Sequence, residues 1–253
     1  MRHAGEEYGF DAQLDSTPTL LIPQTTNFNG MPTHHALSAT IINASPHEGT
    51  TLQISSKVAQ LLASKGFGVR VLDLYRLNIG ECLGCFSVAP ERCTYPCVVS
   101  DDMDAVYRAL IDSHAAIFVT PTYWVNVPGK LKNLVDRLTS LENNGFLLEG
   151  LIAAVIAINQ VNGGWEAASW LAGVLNMMGA LIPPYGIQVF YPGSVQNRLE
   201  QCLGESAKEY WDERDLVTLT DNIAHLCSLK IREHNFGFRR RVSQTHTSRV
   251  SIR

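Results

Sequence analysis

Three stretches of this 253-residue chain combine hydroxyls, glycines, amides and aromatics at spacings suited to holding a ligand. In Asn43-Ala-Ser-Pro-His-Glu-Gly-Thr-Thr51, Ser45, Thr50 and Thr51 offer hydroxyl donors and Gly49 permits close backbone approach. A helix starting there leaves its first-turn amides free, which makes an anion site. The helix dipole alone contributes only about 0.3–2 kcal/mol, so the donors must do much of the holding. The competing reading is that Ser and Thr only cap the helix. The stretch is neither G-x-G-x-x-G nor G-x-x-x-x-G-K-[ST], which argues against a classical dehydrogenase or nucleotide hydrolase turn. In Thr120-Pro-Thr-Tyr-Trp-Val-Asn126, Tyr123 and Trp124 stand on a loop bounded by Pro121 and Pro128. Such a loop can hold a flat, partly apolar ring of the flavin kind, or its aromatics can simply fill the core. In Asn159-Gln-Val-Asn-Gly-Gly-Trp165, Gly163 and Gly164 would let a backbone lie against that ring, or form an ordinary turn.

The elements needed to position these loops follow from the hydrophobic periodicity. Strands are expected at Leu37–Ile42, Gly68–Asp73, Ala115–Val119, Leu151–Ile158 and Gly186–Phe190. Helices are expected from about Thr50 to Gly66, from Asp101 with Met103, Val106, Tyr107, Leu110 and Ile111 aligned, and through Leu131, Leu134, Val135 and Leu138. Two more are expected over about 165–178 and 206–229. The 151–158 run is apolar throughout, as in a parallel strand covered on both faces. Five strands alternating with helices give a doubly wound α/β fold with a five-stranded parallel sheet and helices on both faces. In such a sheet ligands lie beyond the carboxyl ends of the strands, which is where all three loops fall.

Four cysteines, Cys82, Cys85, Cys93 and Cys97, follow the second strand with spacing C-x2-C-x7-C-x3-C. Four thiolates in one loop could hold a 4Fe–4S cluster or zinc, or could be free or redox-active thiols; the thiols are the expectation. Cys202 and Cys227 read as small buried hydrophobes.

Composition bounds the rest. With 45% hydrophobic and 17% charged residues the chain is a globular one, and its net charge of −4 gives no reason to expect nucleic acid or membrane binding. Residues 230–253 carry about +6 and the remainder about −10. The expected organisation is an N-terminal arm over 1–36, a ligand-binding domain over 37–229 and a solvated basic tail over 230–253. The longest apolar run is too short to span a bilayer and no secretory signal is visible, so a cytoplasmic location is expected.

Taken together, Ser45-Pro-His-Glu-Gly-Thr-Thr51, Cys82-Leu-Gly-Cys85, Asp101-Asp-Met103, Pro121-Thr-Tyr-Trp124, Pro128-Gly-Lys-Leu-Lys132 and Asp136-Arg137 resemble the flavodoxin-like NADPH-dependent FMN reductases and their relatives, the iron–sulfur flavoproteins. The likeness covers about residues 37–190. It implies a flavodoxin-like fold and FMN, with the phosphate at Ser45, His47, Thr50 and Thr51. It implies the ring against Pro121, Thr122, Tyr123, Trp124, Val125 and Asn126, with Asn159, Gly163 and Gly164 near its pyrimidine edge. His47 stands where relatives often carry Arg, so phosphate affinity here is expected to depend on pH. Relatives with a cluster have a compact C-x2-C-x2-C, and the third position here is Val88.

The resemblance implies an oxidoreductase in which NAD(P)H reduces FMN and the electrons pass to a small acceptor such as a quinone or ferric species. The flavin carries the chemistry, so no catalytic acid or base is expected among the side chains. The alternatives are a non-catalytic electron-transfer flavoprotein that docks to a protein partner, with or without a cluster, and a flavin-free binding domain of the same fold. A homo-oligomer is expected because relatives often cover the flavin with a neighbouring subunit.

Overall fold

The computed structural model describes residues 37–191, 213–234 and 236. Five strands form one all-parallel sheet: β1 (Leu37–Asn43), β2 (Phe67–Asp73), β3 (Ala115–Pro121), β4 (Ile152–Ile158) and β5 (Ile187–Phe190). Their order is β2-β1-β3-β4-β5. The chain steps one way from β1 to β2 and then the other way through β3, β4 and β5. The direction of winding therefore switches between β1 and β3, and a crevice opens there at the carboxyl ends. The register brings those ends level, with Asn43 opposite Val119 and Pro121 opposite Ile158.

The helices are α1 (Thr50–Ser64), α2 (Cys85–Val88), α3 (Met103–Ile111), α4 (Gly129–Arg137), α5 (Thr139–Asn143), α6 (Gly164–Met177) and α7 (Glu213–Ser228). Alternation along each strand feeds two cores. Ile42, Phe118 and Val155 join Met103, Leu110, Leu131, Leu134 and Leu171 under α3, α4 and α6. Ile41, Ile117 and Ile156 join Val58, Leu62, Leu219 and Ile223 under α1 and α7. All seven residues of β4 are buried, as a strand covered on both faces requires. Each large aliphatic side chain so buried contributes about 1.5–3 kcal/mol.

Several expected boundaries move. β3 runs through Thr120 to Pro121, so Pro121 ends the strand and does not open the loop; Thr122 N donates to Ile158 O at 2.9 Å and extends the ladder past it. The helix over 129–138 is broken after Arg137, and α5 begins at Thr139. The cysteine segment holds α2 and a 3-10 turn over Pro90–Arg92. Of the expected 206–229 helix, residues 206–212 lie outside the described residues, and α7 covers the rest. The arm over 1–36, Cys202 and most of the basic tail also lie outside them.

The start of that tail belongs to the domain. Arg232 Nη2 donates to Ile111 O at 2.6 Å and Leu110 O at 3.3 Å, meeting carbonyls that the end of α3 leaves without helical partners. Phe236 N donates to Glu149 Oε1 at 2.8 Å. Charge composition marks 230–236 as tail, but these hydrogen bonds dock it. Cys227 is buried in the core as expected, and burial pushes its thiol up to about 12.

Candidate functional site

The loops after β1, β3 and β4 meet at the carboxyl edge of the sheet. After β1, Ala44 N donates to Val119 O at 2.9 Å, which fixes the path of the loop. Ser45 is nearly buried, and its hydroxyl both accepts from His47 N at 3.2 Å and donates to His47 O at 3.0 Å. This closes a small turn that carries the exposed His47 outward. Gly49, with extended backbone, caps α1 and no side chain caps it. The capping role considered for Ser and Thr is therefore overturned. The amides of Thr50, Thr51 and Leu52 precede the first helical bond, Gln53 N to Gly49 O, and remain available. Thr51 is buried and Thr50 half-buried beside them.

After β3, Tyr123 N donates to Asn126 O at 2.8 Å and Asn126 N to Tyr123 O at 3.1 Å. Between them Trp124 and Val125 have φ values of 50° and 64°. This is a two-residue turn of the mirror-image type, which ordinarily carries Asn-Gly. A bulky aromatic and a β-branched residue in the left-handed region are strained. Trp124 is 99% exposed and Tyr123 42%, so neither fills the core.

After β4, Asn159 is buried at 2% exposure and its N donates to Phe190 O at 2.8 Å. The diglycine has a more specific use than expected. A Cβ on Gly163 would stand 2.6 Å from Val125 Cα, and one on Gly164 would stand 2.6 Å from Val189 Cγ1 and 2.8 Å from Asn159 Cβ. The space they leave is filled by the strained turn, by β5 and by Asn159. Gly163 has φ 84° and buttresses the turn directly.

Some residues of the site were not singled out by the sequence. Asn43, the last residue of β1, is 2% exposed, and its Oδ1 has no hydrogen-bond partner. Thr122, which the sequence did place against the ring, likewise has a buried and unpartnered Oγ1. A polar residue ending an apolar strand was the available signal for Asn43. Tyr75, following β2, lies under Lys130 Nζ at 5.5 Å, and burial together with neighbouring Tyr123 pushes its phenol up. Two unpartnered buried atoms, free helix amides and an exposed aromatic turn at the switch point fit a ligand with an anionic end and a polar-edged planar ring.

A cavity of about 330 Å³ is walled by the cysteine loop and the end of α4 and not by these three loops. One of its lining residues, Arg137, is held in an ion pair. Arg137, 1% exposed, donates through Nη1 to Asp101 Oδ2 at 2.8 Å and through Nη2 to Oδ1 at 3.1 Å. The same nitrogens donate to Gly80 O and Val99 O, at 3.2 and 3.1 Å, and so clasp both stems of the cysteine loop. Burial works against the Asp101 charge, but the Arg137 fork and the Gly80 and Met103 amides outweigh it and hold the carboxyl below its ordinary value. Cys82, Cys85, Cys93 and Cys97 all line the cavity. Among the described residues, however, no group of three or more His, Cys, Asp or Glu is arranged to hold a metal ion. Val88, where cluster-bearing relatives have a third cysteine, is 82% exposed. As placed, the four side chains line one cavity without converging on a metal position.

Residues 37–193 match the family described as NADPH-dependent FMN reductase. An iron-sulfur flavoprotein of Archaeoglobus fulgidus is 29% identical over 143 residues, 56% of this chain and 69% of that protein. One of Methanosarcina thermophila is 24% identical over 194 residues, 72% of this chain and 97% of the relative. Among solved structures, RosB with the bound intermediate 8-demethyl-8-formylriboflavin-5'-phosphate superposes with a TM-score of 0.64 at 14% identity, covering 85% of this chain and 88% of that one. At such identity that likeness establishes the flavodoxin-like fold. With a family match over well more than half its length, the chain belongs to the NADPH-dependent FMN reductase family.

Proposed function

We propose that the chain is a cytoplasmic, homo-oligomeric FMN-dependent oxidoreductase. It takes electrons from NAD(P)H and delivers them to a small acceptor such as a quinone or a ferric species. The observation that carries the reading is the pair of buried, unpartnered polar atoms, Asn43 Oδ1 and Thr122 Oγ1, at the switch point beside the exposed Tyr123–Asn126 turn. Buried polar groups are rarely left without partners, so two at one edge speak for a ligand that completes them.

FMN supplies the two-electron chemistry when bound. The chain's own residues bind and orient. The amides of Thr50, Thr51 and Leu52, with the hydroxyls of Thr50 and Thr51, face an anion, and His47 adds a positive charge when protonated. Ser45 shapes the loop through its own turn. Asn43 Oδ1 can only accept, so it selects an N–H or O–H on the ligand, whereas Thr122 Oγ1 can donate or accept. The 123–126 turn, held by Gly163, supplies a fixed surface for a ring. Exposed Trp124, Val161 and Trp165 along this edge support its being covered by another copy.

The test is an FMN titration followed by steady-state oxidation of NADPH and NADH with ferricyanide and a quinone. Binding with turnover supports the reading. Binding without turnover would leave a non-catalytic flavoprotein, and no binding would contradict both.

A further inference from the structure

The loop that faces the phosphate carries little positive charge of its own. From Asn43 to Thr51 the only side chain that can become cationic is His47, and Glu48 stands next to it. His47 is charged only when protonated, whereas the Glu48 carboxylate opposes an anion. The first-turn amides of α1 and the hydroxyls of Thr50 and Thr51 are neutral donors. A phosphate monoester brings a charge of about −1.5 to −2 at neutral pH, most of which the loop leaves unmatched.

The tertiary structure brings a cation to this loop from the neighbouring strand. Asp73 ends β2 and pairs level with Asn43, the residue that opens the loop. Asp73 Oδ1 accepts from Tyr75 N at 3.2 Å, which starts a 3-10 turn over Leu74–Arg76. Asp73 Oδ2 holds Arg76 Nε at 3.3 Å, and on the other side Arg76 Nη2 meets Glu48 Oε1 at 3.5 Å. Glu48 immediately precedes Gly49, the cap of α1. The guanidinium is therefore anchored by β2 and tied to the residue just before the free amides. The tie to Glu48 is weak. The Glu48 side chain is 82% exposed and that of Arg76 50%, and an exposed pair of this kind is worth less than about fivefold in an equilibrium constant. An arginine contact to phosphate is charge-assisted and can be two-pronged, worth about 10–100-fold, so an anion wins the exchange. Lys130 is committed elsewhere: its Nζ lies 5.5 Å over the Tyr75 ring, on the helix that follows the aromatic turn.

We propose that Arg76 is a phosphate-binding residue of the flavin site, tied to Glu48 until the ligand's phosphate monoester displaces that carboxylate. The site thereby favours FMN over a flavin without phosphate. An uncharged ligand end offers nothing in exchange for the Glu48 carboxylate, so the pair stays closed against it. An anion gives the guanidinium a stronger partner and leaves Glu48 to solvent, to which it is already largely exposed. Asp73 keeps its hold on Nε, so Arg76 turns about an anchored point and little side-chain freedom is lost on binding. This inference rests on the FMN reading of the site and adds to it the residue that recognises phosphate and the residue that competes with it.

The test titrates the full chain, freed of flavin, with FMN and with riboflavin, followed by flavin fluorescence. Arg76→Met is expected to weaken FMN binding about 10–100-fold and to leave riboflavin binding within about twofold. Arg76→Lys, which keeps the charge but not the fork, is expected to recover part of the loss. Glu48→Gln is expected to act in the opposite direction, tightening FMN about two- to fivefold with riboflavin unchanged. If riboflavin binds too weakly to titrate, inorganic phosphate takes its place as a competitor of FMN. Its inhibition constant should then rise in Arg76→Met and fall in Glu48→Gln. Circular dichroism separates lost binding from lost fold, and Arg76→Lys with Glu48→Gln keeps the test open should Arg76→Met fail to fold. Unchanged FMN affinity in Arg76→Met, equal losses for FMN and riboflavin, or weaker FMN binding in Glu48→Gln would each overturn the proposal. Wild type that binds both flavins equally would overturn it and leave the flavin reading standing, whereas wild type that binds neither would overturn both.

Discussion

Replacing Gly163 with alanine tests whether the strained aromatic turn is held in place by the diglycine loop. The new Cβ would stand 2.6 Å from Val125 Cα and 3.0 Å from its Cβ and Cγ1. A non-glycine residue at φ 84° costs about 1–2 kcal/mol. The overlap adds about 1–3 kcal/mol, the usual range for overpacking, because the atom struck is backbone in a turn already at φ 64° and cannot rotate away. The expected destabilisation is therefore about 2–5 kcal/mol in urea unfolding without FMN. Excess ligand adds a second measure: FMN at a hundred times its Kd should stabilise wild type by about 2.7 kcal/mol, and the variant should gain less because the displaced turn binds FMN more weakly. Gly173→Ala is the matched control. Gly173 lies in α6 with nothing within 4 Å of a built Cβ, so alanine there should stabilise by about 0.5–1 kcal/mol. A loss below about 0.5 kcal/mol for Gly163→Ala, with unchanged FMN affinity, would refute the idea that the glycine spaces the turn.

Trp124→Ala should weaken FMN binding by about 1–3 kcal/mol in a fluorescence titration. Because Trp124 is 99% exposed, stability without FMN should stay within about 0.5 kcal/mol. Asp101→Asn should cost about 3–5 kcal/mol at neutral pH by leaving the buried Arg137 charge unpaired. The folded Asp101 carboxyl sits below its ordinary value, so its stabilisation is present at neutral pH and lost as pH falls through that lowered value. The acid limb of unfolding should accordingly be shallower in the variant than in wild type. At the opposite edge of the sheet, Ser38 N donates to His114 Nδ1 at 3.2 Å, and burial, aided by Arg232, holds the imidazole below its ordinary value. Folding favours neutral His114, so the melting temperature should fall as pH drops below about 6.5, and His114→Asn should flatten that limb.

The architecture was written locally. Apolar runs such as 151–158, and the face formed by Leu131, Leu134 and Val135, report covered strands and amphipathic helices because burial repeats with the period of each element. The three loops were also legible, since hydroxyls, aromatics and glycines stand immediately after strands and a parallel sheet sends its carboxyl ends to one edge. Roles that depend on approach between distant segments were not. The sequence offered Gly163 as room for a ring, but the fold brings Val125 into that room. It placed Asn43 at the start of the first loop, after a strand ending at Ile42, and only the level register of β1 and β3 extends the strand through Asn43 and buries its Oδ1 without a partner. It counted Arg232 as tail, and only packing sets that side chain on the carbonyls of α3. The spacing of the four cysteines left thiols as the expectation, with a cluster or zinc as alternatives. How Arg137 and α5 hold that loop is not legible in the sequence either, because pairwise distances between remote segments are fixed by how the whole chain packs and have no periodic signature.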